Sequence, residues 1–306
     1  MPINISLLVN SSLILFKDES IGSQIMRLRF ILAGLYERRM AAQLLNGKEG
    51  SCLNRLMKER PETIGVLIWP FQCAQWRAST RLDRIINHCG VIDSLGPPWD
   101  FSVDRRLVLL NLDEISTGLR VVLDQPVWFM REGLLTINLF IDSLRVFSVS
   151  FSFFRDKDEK LHTIIGGVQG RDIDDALNIY RNLTKSLHGL RPRDFLLETL
   201  KVLTIIIGSN EILAVSENGR YHHHPYFNKK TKKAGINYDE IWLERGGFKI
   251  DDDFFKFNTE AARRDIESVR PNKRSMYRKR FELIDNIELR LRQDISLLSP
   301  IEMPDS

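Results

Sequence analysis

The sequence predicts an α+β fold: an antiparallel-rich mixed sheet, a meander of about five strands plus later strands, flanked by helices. Three observations carry this. The apolar period is helical before residue 100, changes to two after Asp104, and returns to helical after Arg171. Gly96-Pro97-Pro98, the strongest punctuation in the chain, falls where the first change occurs. A charged stretch of helical character, residues 259–298, closes the chain. The expected organisation is a helical N-terminal region (1–100), an α/β core (101–258) and a charged helical tail (259–306).

The first apolar stretch, Ile3 to Phe16, has no Lys or Arg before it. Asn4, Ser6, Asn10, Ser11 and Ser12 interrupt it, and Lys17, Asp18 and Glu19 follow where a cleavage site would lie. It is shorter than the roughly 20 residues that span a bilayer. It reads as a peripheral strand or helix of a cytoplasmic protein. Ile21 to Leu45 carries Ile25, Leu28, Leu32, Leu35 and Leu44 near helical spacing, with Arg27, Arg29, Arg38 and Arg39 among them, and stops at Asn46-Gly47.

From Asp104 the strands follow. Leu107–Leu112 and Leu119–Leu123 are short apolar runs. Leu135, Ile137, Leu139 and Ile141 alternate with Thr136, Asn138, Phe140 and Asp142. Phe147, Val149, Phe151 and Phe153 alternate with Ser148, Ser150 and Ser152, as a sheet covered on one face requires. Residues 155–160 form a charged turn before a strand over Leu161–Val168. A helix over Asp172–Leu187 ends at His188-Gly189, and Pro192 opens the next. That second helix holds the apolar run Leu196–Ile207, which Glu198 and Lys201 mark as core, not membrane. A strand at Glu211–Ser216, a polar loop over 220–236, a short helix over Tyr238–Arg245 and a last strand at Phe254–Phe257 complete the core.

Hydrophobic residues make up 43% and charged residues 27%, which excludes wholesale disorder and a polytopic membrane protein. Cys52, Cys73 and Cys89 are too few and too scattered for a disulfide framework or a four-thiolate zinc site. The net charge of +4 permits an anionic partner without demanding one.

Three blocks carry a resemblance: Ile165 to Gly170 (IGGVQG), Tyr180 to Asp194 (YRNLTKSLHGLRPRD) and Tyr238 to Gly247 (YDEIWLERGG). In this order and spacing they resemble the VirK/YbjX family over most of the chain beyond about residue 20. The resemblance implies a cytoplasmic factor tied to virulence, envelope integrity and resistance to cationic antimicrobial peptides. It supplies no catalytic mechanism. A deeper resemblance concerns fold. The order meander, strand, helices, strand, short helix ending Trp242-Leu-Glu-Arg-Gly-Gly-Phe248 is similar to the GNAT acyltransferases. That resemblance implies an acyl-CoA or similar acyl donor, held by backbone amides at Val168, Gln169, Gly170 and Arg171. The usual glycine spacing is absent there, and Asp172, Asp174 and Asp175 crowd the following turn.

Other candidates stand on residue type. His188, Arg191 and Arg193 form a helix corner fit for a carboxylate or phosphate, or for a helix C-terminus. Glu240 and Glu244 share a helix face, and either is a candidate general base; burial near the aromatic cluster would raise the pKa of Glu244. His222, His223 and His224 suggest metal, but on a strand only His222 and His224 share a face, and no metal is expected. Lys229, Lys230, Lys232 and Lys233, and the cluster from Arg270 to Arg280, offer peripheral contact with an anionic membrane surface; no nucleic-acid motif accompanies them. Three functions therefore stand side by side: a CoA-dependent acyltransferase, a non-enzymatic binding or regulatory protein on the same fold, and an adaptor to anionic membrane or RNA.

Overall fold

The computed structural model describes residues 5–173, 175–227, 237–258 and 265–302. Five helices come first: α1 (Ile5–Leu15), α2 (Ile21–Tyr36), α3 (Arg38–Leu45), α4 (Cys52–Glu59) and α5 (Ala78–Leu95). The meander is β1 (Arg105–Asn111), β2 (Leu119–Asp124), β3 (Leu135–Ile141), β4 (Leu144–Arg155) and β5 (Leu161–Gly170). Helices α6 (Ala176–Ser186) and α7 (Pro192–Ile206) lead to β6 (Glu211–Val215). Then come α8 (Tyr238–Glu244), β7 (Phe248–Lys249), β8 (Phe254–Phe257), α9 (Pro271–Asp294) and β9 (Ile301–Glu302).

The strands form one sheet in the order β7-β8-β6-β5-β4-β3-β2-β1-β9. Each neighbouring pair is antiparallel except β5 and β6, which the α6–α7 crossover makes parallel. The expected mixed, antiparallel-rich sheet is therefore present, and β9 adds an edge strand that the sequence pattern did not announce.

One face of the sheet carries Phe147, Val149, Phe151 and Phe153 of β4, all buried, with Leu135, Ile137 and Leu139 of β3 beside them. Helices α5, α7 and α9 close this core with Ile92, Phe195, Leu200 and Leu291. Helix α5 also feeds a second cluster: Leu82, Ile85 and Cys89 pack with Phe30, Leu44, Ile64 and Phe71. The charged C-terminal segment is anchored, because Ile287 and Leu291 of α9 are buried. Pro271 occupies the first turn of α9, where its missing N–H costs nothing, so it starts this helix.

Two expectations need correction. Ile21–Leu45 is not one helix: Glu37 ends α2 and opens α3, which turns Ala41 and Leu44 inward. The sheet is also not half-covered. Ser148, Ser150 and Ser152 are as buried as the phenylalanines, and so are Thr136 and Asn138. The chain before β3 lies across this polar face. Gly133 sits so close to the backbone of Phe151 that a Cβ there would approach it to 2.5 Å. The Ser152 hydroxyl accepts the Leu134 N–H at 3.0 Å. The serines are polar because their cover is backbone and polar side chain, which need hydrogen-bond partners.

Truncating the fully buried Phe151 to Ala should lower the unfolding free energy by about 3–5 kcal/mol, read as a shift of the urea midpoint at constant slope. Ser150→Ala should cost about 1 kcal/mol, because its hydroxyl bonds, at 3.4 and 3.5 Å, are long.

Candidate functional site

The polar face opens to solvent beside β4. Two adjoining hollows of about 350 and 280 Å³ share Trp128, Arg145 and Arg171. Four guanidiniums, from Arg60, Arg106, Arg145 and Arg171, line them against the carboxylates of Asp104 and Asp124. The groove therefore carries a surplus of two positive charges.

Its floor is a buried network. Asp124, at the end of β2, accepts from Arg145 Nη2 at 2.7 Å and from Asn138 Nδ2 at 2.8 Å, and pairs with Arg106 Nε at 3.3 Å. Arg145 also donates to Asn138 Oδ1, which accepts the Ser148 hydroxyl at 2.7 Å. The Arg145 and Arg106 guanidiniums lie 4.8 and 5.6 Å from the Phe140 ring centre. Register brings these residues together. Arg145 faces Phe140 across β3–β4, and Asn138 faces Val122 across β2–β3. Two arginines around one carboxylate leave the floor net positive, which favours an anion above it.

The rim is less committed. Arg60 donates to the Gln125 carbonyl, and burial lowers its pKa against the opposing charges of Glu62, Asp124 and Glu59. Arg171 is exposed just beyond β5, and Trp128 is half exposed and stacked on Phe129. This set suits a compact anion gripped by guanidinium forks, with a flat apolar wall beside it.

A second polar feature lies deeper. Glu132 is buried, and burial pushes its pKa up to about 8, with Arg220 opposing the shift. Its backbone carbonyl accepts from Gln72 Nε2 at 3.5 Å. Beneath it are Gly166 and Gly167 of β5, where the β4–β5 register shifts. A Cβ at Gly166 would lie 1.9 Å from the Glu132 carbonyl oxygen, and one at Gly167 would lie 2.5 Å from its carboxylate. These glycines are a bulge that admits another chain segment.

A family model described as "Protein of unknown function (DUF535)" matches residues 21–293. The chain belongs to this family. An Escherichia coli K12 protein with the name "Uncharacterized protein YbjX" is 24% identical over 268 residues, 86% of this chain and 81% of its own. The resemblance to the VirK/YbjX family is thus confirmed. A Haemophilus influenzae protein, named only as uncharacterized, is 32% identical over 134 residues, 44% of each chain. The Mannheimia haemolytica "Membrane protein LapB" is 36% identical over 64 residues, 21% of this chain and 28% of its own. The alignments with these last two relatives cover less than half of their lengths.

All four groove arginines lie within the DUF535 stretch, as do the residues singled out from sequence. Of the four amide positions, Gln169, Gly170 and Arg171 border the groove. Gln169 pairs with Ser148 in the β4–β5 ladder, the Arg171 N–H donates to the Val146 carbonyl at 3.0 Å, and Gly170 between them faces Phe147 as a non-hydrogen-bonded pair. Val168 is buried, and Tyr238 Oη accepts its N–H at 2.9 Å and donates to its carbonyl at 3.2 Å. Gly170 makes room for Tyr180 Oη, 2.6 Å from a Cβ built there. Helix α6 begins at Ala176 with Asp175 at its cap, away from this turn. An anion here meets side chains and no helix N-terminus.

Two arginines of the helix corner and one candidate base satisfy one another. Arg193 Nη2 and Arg191 Nη1 reach the Glu244 carboxylate at 2.7 and 3.1 Å. Partial burial raises the Glu244 pKa, but the Arg193 hydrogen bond and the charges of Arg191, Arg193 and Arg245 hold it below its ordinary value. That is opposite to the expected direction and makes it a weaker base. Glu240 is exposed and accepts from Asn237 at 3.3 Å. His188 ends its helix at φ 51°, and its carbonyl accepts from Arg280 of α9.

His222 and His223 lie in a tight turn over Tyr221–His223, with His224 just after it, and none is on a strand. The rings of His222 and His223 are 4.3 Å apart, and Glu217 joins them with candidate ligand atoms within 4.8 Å of one another. Glu217 Oε2 already accepts the Tyr238 N–H at 3.0 Å and pairs with Arg220 at 3.2 Å, and that guanidinium opposes a dication. Lys229, Lys230, Lys232, Lys233 and Asp174 lie outside the described residues.

Sequence reasoning found Arg171 and missed Arg60, Arg106, Arg145 and Glu132. The paired glycines in β5 were the available signal for Glu132.

Glu132 ionises at an ordinary carboxylate pKa when unfolded and near 8 when folded, so between those values only the folded state keeps the proton. Stability should fall as pH rises through that window, by up to about 1.4 kcal/mol per pH unit. Comparing melting of the wild type and Glu132→Gln from pH 5.5 to 8.5 isolates this group. The variant should gain on the wild type as pH rises.

Proposed function

We propose that this DUF535 protein binds a compact phosphate-bearing anion in the arginine groove, and that it acts as a binding protein without chemistry of its own. The carrying observation is the surplus of guanidiniums lining hollows that also hold Gln169, Gly170 and Arg171. A role in the bacterial envelope and in resistance to cationic peptides, exercised from the cytoplasm, is what the VirK/YbjX relationship suggests. The word "membrane" in the name of the Mannheimia relative is in keeping with it.

Acyl transfer has less support. The β5–β6 pairing ends at Ile165–Ala214, so the strands do part as an entering acyl arm would need. The space beyond is filled: Tyr238 bridges Val168, and Trp242 Nε1 donates to the Val215 carbonyl at 2.7 Å. Both side chains are buried.

Calorimetry with inorganic pyrophosphate, CoA and glycerol phosphate tests the reading. Pyrophosphate should bind with an affinity that falls as salt rises. Arg60→Ser and Arg171→Ser should each weaken it about tenfold, the loss of one charge-assisted contact, with melting unchanged for the exposed Arg171→Ser. Absence of heat for all three anions at millimolar concentration would sink the reading.

A further inference from the structure

The first two helices form a hairpin whose outer surface is apolar. The Arg27 guanidinium closes it, donating to the Phe16 carbonyl at 2.6 Å and to the Asp18 carbonyl at 3.1 Å. The helices touch where Leu8 lies on Gly34: a Cβ there would come within 2.7 Å of the leucine. Their inward residues, Leu8 and Phe30, are fully buried. The outward ones are not. On α2 the stripe Ile21, Ile25, Leu28, Leu32 and Leu35 is exposed, and Tyr36 at its end is 87% exposed. On α1, Ile5, Leu13 and Ile14 are about half exposed, and this helix contains no charged residue at all. A water-facing helix ordinarily carries its charges on the outer face. An outer surface this rich in Ile and Leu marks an interaction site.

The charges beside it select the partner. Arg29, Arg38 and Arg39 are exposed along α2 and α3, and Glu37 is the one acid within Ile21–Leu45. A second copy would bring this basic edge against itself. An anionic surface is complementary to it. Helix α1 has 11 residues, a length of about 16 Å, half of what the hydrocarbon core demands. No helix among the described residues is long and apolar enough to cross a membrane. We propose that the α1–α2 hairpin lies flat in the interface of an anionic lipid bilayer. Its isoleucines and leucines enter the acyl boundary. Tyr36 sits at headgroup level, and Arg29, Arg38 and Arg39 reach the lipid phosphates.

The test is co-sedimentation of the full chain with vesicles of phosphatidylcholine alone or mixed with phosphatidylglycerol. The protein should partition onto the mixed vesicles and do so less at high salt. Leu28→Glu with Leu32→Glu should reduce partitioning roughly tenfold or more, since exposed side chains change without loss of core. Arg38→Ser with Arg39→Ser should reduce it about fivefold per charge on mixed vesicles at low salt. Circular dichroism melts should match the wild type in both cases. Arg171→Ser should still sediment, which separates this surface from the groove. Wild type remaining in the supernatant with both vesicle types overturns the proposal, as does equal sedimentation of the leucine variant. A concentration-dependent dimer that the leucine variant abolishes, without vesicle binding, assigns the face to a second copy and overturns it too.

Discussion

Burial of both faces of the central sheet dictates much of this architecture. An apolar second face would have made a simple three-layer sandwich. Here Thr136, Asn138, Ser148, Ser150 and Ser152 stand on it, and a buried polar group without a partner costs about 1–3 kcal/mol. The cover must therefore supply hydrogen bonds. The segment before β3 does so through the Leu134 N–H, and Gln72 spans from the Glu132 carbonyl to the Ile164 carbonyl at 3.2 Å. At the open end the same need is met by Asp124, Arg106 and Arg145. The groove is thus the place where the polar layer runs out of backbone cover and turns to charged side chains. Removing one partner from such a network leaves a buried charge uncompensated, which is why its floor belongs to the fold as much as to any ligand.

The strands and the α6–α7 hairpin were legible because their signals are local. Alternation in Leu135–Ile141 and Phe147–Phe153, glycine after His188 and proline at 192 each act within a few residues. The burial of the serines was not legible, since alternation reports polarity and not what lies above it. Arg145, Arg106 and Asp124 are commonplace strand residues, made into a site by register across four strands. Glu244 illustrates the reverse. Proximity to aromatic residues argued for a raised pKa, and two arginines from the α6–α7 corner, some fifty residues earlier, decided otherwise. The histidine run was misread through its geometry: a tight turn places neighbours side by side, where a strand would oppose them.

The Tyr238 hydroxyl stands where a strand would be. It takes the N–H of Val168 and gives its own proton to the carbonyl of the same residue, the two bonds a neighbouring strand would share. One phenol, delivered by α8, thus mends the seam left where β6 turns away from β5. The slowing of deuterium uptake at that single amide accordingly gauges how firmly α8 is seated, while the amides of Thr163 to Ile165 gauge the strand pairing itself. The two can come apart in a chain whose sheet remains whole.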